Sequence, residues 1–163
     1  MDKITLDRIQ TLHPKVREEA LQIYNEINAA LTGRATVRFA QTLRTIDEQN
    51  ALYAQGRTKP GSIVTNAKGG SSYHNYGLAI DIVLIIDGKT ASWDMSTDFD
   101  IDKVPDWMEC VKIFKSHGWE WGGDWKSIKD YPHFQKTFGK SEAQLLALYN
   151  SNKVLPTTKY VQI

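Results

Sequence analysis

A carboxylate stands in the middle of the most apolar stretch of this chain. Residues Leu78 to Ile86 read Leu-Ala-Ile-Asp-Ile-Val-Leu-Ile-Ile and run into Asp87-Gly88. Short length, β-branched content and a following Asp-Gly mark a central strand that ends in a turn. Asp81 is its one charged residue. A buried, ionised carboxylate without a partner costs several kcal/mol, so a strand of this composition forms only if Asp81 meets a cation. Alternation places Asp81 on one face with Ala79 and Val83, while Leu78, Ile80, Ile82 and Leu84 point into the main core from the other. Small Ala79 leaves space beside the carboxylate.

The remaining elements follow from periodicity and punctuation. Val16, Ala20, Ile23, Tyr24, Ile27 and Leu31 recur three or four positions apart, so Pro14 to Leu31 is expected to be a helix burying one stripe, stopped by Gly33. Ala35 to Gln41 alternates as a short strand, with Val37 and Phe39 on one side and Arg38 on the other. Thr45-x-x-Glu48 is a capping box for a second helix reaching about Gln55, which puts Arg44 at a strand-to-helix junction. Gly56 to Ser72, rich in Gly, Pro, Ser, Thr, Asn and Lys, reads as a long loop beside a site. Pro105 to His117 is expected to be a helix presenting Trp107, Val111 and Phe114 and closing at Gly118. Short strands at Trp119 to Trp121 and around His133 to Lys136 complete a small sheet, and Ser141-x-x-Gln144 caps a last helix. Without repeats or low-complexity runs, the chain is α+β, a small, mainly antiparallel sheet flanked by helices.

With 163 residues, one hydrophobic core and one domain spanning residues 1–163 are the default. A formal charge of +1, with Lys and Arg scattered among Asp and Glu, gives no concentrated basic face and sets nucleic acid aside. The lone Cys110 excludes an intrachain disulfide and is expected to be a small buried hydrophobe. No segment reaches the roughly 18 uninterrupted apolar residues of a membrane span, and Met-Asp-Lys-Ile-Thr-Leu-Asp-Arg lacks an apolar signal-peptide core. The expectation is a soluble monomer made in the cytoplasm that reaches any external substrate after release.

Two histidines are placed to join Asp81. His74 lies in Ser72-Tyr73-His74-Asn75-Tyr76-Gly77, where Gly77 lets the backbone turn from loop into strand and brings the imidazole back over the carboxylate. In Asp130-Tyr131-Pro132-His133-Phe134-Gln135, Pro132 favours extended backbone, so His133 faces the site while Phe134 packs behind it. Two imidazoles and one carboxylate with a fourth position open suit a catalytic zinc rather than a closed structural one. Hydrolysis also needs a proton carrier, and Asp130 is the candidate, with a loop cap as the alternative role. Arg44 either faces the carbonyl under attack, where a guanidinium stabilises developing negative charge, or forms an exposed ion pair. Trp119, Trp121 and Trp125 either line a groove or pack the core. His13 and His117 are read as structural.

Ser72-x-His74-x-x-Gly77-x-Ala79-x-Asp81 followed by Asp130-x-x-His133 resembles the zinc peptidases that include D-alanyl-D-alanine carboxypeptidases, vancomycin-resistance dipeptidases and phage L-alanyl-D-glutamate endolysins. Leu43-Arg44-Thr45, Gln49-x-x-Leu52-Tyr53-x-x-Gly56-Arg57 and Gly118-Trp119-x-Trp121-Gly122-Gly123-Asp124-Trp125 look like the endolysin and cell-wall endopeptidase branch. The match covers about Arg38 to Phe138. It implies a D-Ala-D-Ala peptidase or hedgehog-like fold with one zinc ion on His74, Asp81 and His133 at the sheet face. It also implies Asp130 as acid/base where many members have Glu, and Arg44 near the substrate carbonyl. Gln49, Ser72 and Trp125 are the candidate substrate contacts. Three readings follow: an endopeptidase of the peptidoglycan stem, acting at L-alanyl-D-glutamate in lysis or wall turnover; a D-alanyl-D-alanine carboxypeptidase; and a non-catalytic zinc domain that binds wall peptide or a partner.

Overall fold

The computed structural model describes residues 1–163. Its sheet contains β1 (Ala35–Gln41), β2 (Ala79–Ile86), β3 (Thr90–Ser92), β4 (Glu120–Trp121) and β5 (His133–Gln135), and every pairing is antiparallel. The path runs β1-β2-β5-β4, with β3 folding back on the far end of β2. That return is made by Asp87 and Gly88, whose φ values of 53° and 71° are the left-handed pair that a tight hairpin turn requires. Asp81 falls at the centre: it pairs with Gln41 across β1, next to a register irregularity, and with His133 across β5.

One face of the sheet carries the core. Val37 and Phe39 of β1, Ile80, Ile82 and Leu84 of β2, and Phe134 of β5 are all buried in a cluster of 28 apolar residues. Against them pack α2 (Pro14–Ala30), contributing Ile23, Tyr24 and Ile27, and α4 (Asp106–Ser116), contributing Trp107, Val111 and Phe114. Phe134 stacks on Phe114 with ring centroids 4.0 Å apart. Burying a large apolar side chain stabilises by about 1.5–3 kcal/mol, so this aromatic packing fixes which face of β5 looks inward and leaves His133 on the other. Cys110 is buried here, and Arg38 points outward to a two-pronged contact with Asp2.

Three boundaries depart from the sequence reading. A first helix, α1 (Lys3–Ile9), was not anticipated, because two turns are too short to display a periodic stripe; it docks on β1 through Thr5, whose hydroxyl accepts the Phe39 N–H. Gly33 does not stop α2. The helix ends at Ala30, Leu31 is already extended, and Gly33 matters for space: a Cβ there would lie 2.4 Å from the Phe99 carbonyl oxygen. The box at Thr45 is half made, since Thr45 Oγ1 accepts the Glu48 N–H at the start of α3 (Ile46–Ala54) while the Glu48 carboxylate bonds the Thr45 hydroxyl, not its backbone. The Ser141–Gln144 box at α5 (Glu142–Asn150) is complete in both directions.

Candidate metal centre and catalytic cleft

The loop entering β2 bends over its first residues. Tyr73–Tyr76 form one turn of 3₁₀ helix, with Ser72 Oγ accepting the His74 N–H at its start. Gly77 ends the turn at φ 68°, and a Cβ there would meet the His13 nitrogen at 2.4 Å. Both constraints require glycine. The outcome is that His74 Nε2 lies 3.2 Å from Asp81 Oδ1, and His133 Nδ1 reaches the same oxygen at 3.1 Å from the neighbouring strand. The two rings meet edge to face with centroids 5.0 Å apart.

Hydrogen bonding around the two rings fixes their tautomers. His74 Nδ1 is 2.7 Å from the Thr42 carbonyl, which can only accept, so Nδ1 carries the proton and Nε2 presents a lone pair to Asp81. For His133 the chain of inference starts two strands away. The Glu120 carboxylate accepts from Gln135 Nε2 at 3.1 Å, which orients the Gln135 amide so that Oε1 faces His133 Nε2 at 2.8 Å. Nε2 therefore donates, and Nδ1 is the nitrogen turned to Asp81, free to offer its lone pair where a metal takes the place of a proton. His74 Nε2, His133 Nδ1 and Asp81 Oδ1 thus converge on one point. Four-coordinate zinc with bonds of about 2.0–2.1 Å separates neighbouring ligand atoms by about 3.3 Å, close to the 3.1 and 3.2 Å here. The donor set and its spacing fit a tetrahedral divalent ion, and Thr42 and Gln135 are the outer partners that hold the rings.

Electrostatics agree with a site built for positive charge. Burial would raise the Asp81 carboxyl, but His74 and His133 beside it hold it well below the usual carboxylate range. Burial opposes charge on His133 as well, yet the bond to Asp81 raises its imidazole. Asp130 behaves oppositely: its partial burial, aided by the Asp81 charge, raises its carboxyl.

A cleft of about 550 Å³ opens over these residues and is lined by Arg44, Gln49, Ser72, Trp125 and Asp130 as well as the three donors. Asp130 stands with Oδ2 4.0 Å from His133 Nδ1. Its backbone is gripped by Gly122, whose carbonyl takes the Asp130 N–H and whose missing side chain makes room: a Cβ would lie 2.2 Å from the Asp130 carbonyl oxygen. Arg44 makes no ion pair. Its backbone N–H donates to His74, one guanidinium nitrogen donates to Gln49 Oε1 at 3.0 Å, and its Nε is buried without a partner.

Gln49 is buried and its amide is engaged, accepting from Arg44 and donating to the Ala67 carbonyl, so it pins the 56–72 loop to α3 rather than presenting a free group. Ser72 lies at the rim as a turn cap. The tryptophans divide. Trp119 and Trp121 are core residues with their N–H groups bonded to Glu19 and the Tyr131 carbonyl, whereas Trp125 sits 5.3 Å from His133 and forms a cleft wall. His13 caps α2 and donates to Val161, and His117 lies between Glu19 and Glu26, both outside the cleft.

Sequence reasoning missed Gln135, Thr42 and Asn75. Asn75 bonds the Arg44 carbonyl and the Gly70 N–H, tying the loop to the metal-side turn. Gln135 carried a signal: it alternates with His133 on a strand, so it shares its face. Replacing Gln135 with leucine is expected to weaken divalent-metal affinity about 10- to 100-fold, measured by competition with a chelating dye. Unchanged affinity would remove Gln135 from the metal's support.

The chain matches known peptidases in sequence and shape. Residues 65–136 match a family described as D-alanyl-D-alanine carboxypeptidase. The chain is 47% identical over 125 residues to the peptidoglycan L-alanyl-D-glutamate endopeptidase CwlK of Bacillus subtilis (strain 168), covering 76% of this chain and 72% of that one. It is 37% identical over 108 residues to the L-alanyl-D-glutamate peptidase of Listeria phage A118, covering 61% of this chain and 33% of the phage protein. The crystal structure of Serratia marcescens L-Ala D-Glu endopeptidase ChiX has the same fold, with a TM-score of 0.54 at 21% identity, covering 85% of this chain and 90% of that one.

Proposed function

We propose that this chain, which belongs to the D-alanyl-D-alanine carboxypeptidase family of metallopeptidases, hydrolyses the L-alanyl-D-glutamate bond of peptidoglycan stem peptides using one zinc ion. The observation that carries the reading is the convergence of three potential metal donors, His74 Nε2, His133 Nδ1 and Asp81 Oδ1, in an open cleft. His74, Asp81 and His133 would hold the zinc, which would supply a Lewis acid to polarise a carbonyl and lower the pKa of a water to about 7. The L-alanyl-D-glutamate bond is favoured over a terminal D-alanine because the Bacillus subtilis and Listeria phage A118 relatives are both named for it.

The chain's own residues supply the proton path and the grip. Asp130, its carboxyl raised by burial, is suited both to receive the proton that water loses and to deliver it to the departing D-glutamyl amine. The hydroxyl ends on the L-alanyl carbonyl carbon as the C–N bond breaks. Arg44 lines the cleft with its guanidinium held by Gln49, an arrangement suited to the oxygen of the scissile carbonyl. Trp125 offers an apolar wall. A carboxypeptidase would need a fixed cation for the substrate's free carboxylate, and the cleft lining holds no lysine or arginine besides Arg44, here given to the carbonyl, which favours internal cleavage. No helix is long and apolar enough to cross a membrane.

Incubating purified sacculi with the zinc-loaded protein and analysing the soluble fraction by mass spectrometry tests the reading. Stem peptides beginning with D-glutamate are expected. Free D-alanine as the sole product would replace the endopeptidase with a carboxypeptidase.

A further inference from the structure

A second group of acidic side chains, none of them lining the cleft, lies in the loop that leads into α4 and in the first turn of that helix. The oxygens of Asp98, Asp100 and Asp106 lie within 4.8 Å of one another, and so do those of Asp100, Asp102 and Glu109. No lysine, arginine or histidine stands within 4.0 Å of any of these five carboxylates. Asp106 is completely buried; its Oδ1 accepts the Phe99 N–H at 2.7 Å, and its Oδ2 has no partner. Asp100 Oδ1 and Glu109 Oε2 are likewise buried and unpartnered. Buried polar atoms are nearly always satisfied, so three bare carboxylate oxygens where the loop meets the first turn of α4 call for a positive charge among them. Burial, with Asp102, Asp100 and Asp106 around it, pushes the Glu109 carboxyl up to about 7, and burial raises Asp106 as well.

The spacing identifies the ion. Counted from Asp98, the acids occupy the first, third, fifth, ninth and twelfth places of a twelve-residue stretch, the pattern of the calcium loop of EF-hands, in which the seventh place gives a backbone carbonyl. Here that place is Val104. The sixth place, usually glycine for a sharp turn, is Lys103 at φ 80°, which makes the same left-handed bend. Asp98 gathers the loop as the first ligand would, its oxygens accepting the N–H groups of Ile101 at 2.7 Å and Lys103 at 2.8 Å. The last two acids fall in the first turn of α4, where an exiting helix begins. Calcium takes about six to eight oxygens at about 2.3–2.6 Å, so oxygens around one ion lie up to about 4.8 Å apart. Two features differ from an EF-hand: β3 precedes the loop in place of a helix, and lysine holds the glycine position.

We propose that Asp98, Asp100, Asp102, Asp106 and Glu109, with the Val104 carbonyl, form a calcium-binding site separate from the hydrolytic centre. Bound calcium neutralises the loop and fastens it to the end of α2, since Asp100 Oδ2 also accepts the Thr32 N–H at 3.0 Å. The site therefore acts on stability.

The test uses the full zinc-loaded chain in calcium-free buffer, titrated with calcium chloride by calorimetry and followed by thermal melting. One calcium per chain is expected, with a Kd on the order of 10⁻⁴ M, and a melting temperature raised by roughly 3–6 °C at tenfold excess over Kd. Glu109→Gln should abolish both signals while keeping one zinc per chain and wall cleavage within about twofold of the wild type without calcium. Its calcium-free melting point should be no lower than that of the wild type, because a repelled carboxylate has been removed. If that variant loses zinc through misfolding, exposed Asp102→Asn takes its place, with calcium affinity falling at least about fivefold. Absence of heat and of any melting shift up to about 10 mM calcium would overturn the proposal. Equal shifts from magnesium, or wild-type affinity in the variants, would overturn it too.

Discussion

Replacing Asp81 with asparagine is expected to abolish metal retention and lower wall-hydrolysing activity by at least about 1,000-fold. Asparagine keeps the size and shape of the side chain and leaves β2 and its core face undisturbed. It replaces the carboxylate, at which His74 Nε2 and His133 Nδ1 both aim, by a neutral amide whose NH₂ can only donate. That donor would satisfy one histidine directly and compete with a metal for it. Metal content by atomic emission, after dialysis against one equivalent of zinc, should fall below about a tenth of an ion per chain. Stripping zinc from the wild type with a chelator should reproduce the inactivity, and returning zinc should restore the wild type but not the variant. Full activity in the exhaustively chelated wild type, or normal zinc content in the asparagine variant, would refute the assignment of the three donors.

Asp130→Ala should behave differently: zinc stays bound, and turnover falls by about 100-fold or more, the scale of a general acid/base. The separation is clean because the backbone of Asp130 does the structural work. Its N–H goes to Gly122 and its carbonyl accepts from His133, and neither bond involves the carboxylate. An alanine here keeps both. A loss in kcat with metal content unchanged is the signature of the proton carrier. Undiminished cleavage by the alanine variant would assign the proton transfer to another group. Asp130→Glu, which adds one methylene and keeps the acid, should retain more activity than alanine, in line with the glutamate many relatives have at this place.

Much of this centre could be read from residue order alone, for physical reasons that differ from residue to residue. Asp81 announced itself because an ionised group is costly within an apolar run, and His133 because alternation opposite Phe134 leaves one outlet for its ring. Gly77 was legible because the turn demanded by the topology has a backbone that other residues rarely adopt. The supporting partners were hidden. The Thr42 carbonyl that sets the His74 tautomer is main chain and carries no side-chain signature. Gln49 looked like a substrate contact, and only coordinates place its amide between Arg44 and the Ala67 carbonyl. The end of α2 also eluded the sequence, because Gly33 answers to the neighbouring Phe99 backbone rather than to its own helix. The calcium loop is the converse case. Its spacing stood in the sequence, and it gained meaning once Asp106 proved fully buried with one oxygen bare.

The stretch between Gly56 and Ser72 borders the cleft yet donates none of the metal ligands, and it is moored from below by Gln49, Asn50 and Asn75. Chemistry and selection are thereby divided between rigid strands and one detachable border. A lineage could lengthen or exchange that border to admit wall peptides of different composition, and the scissors beneath would not have to be rebuilt.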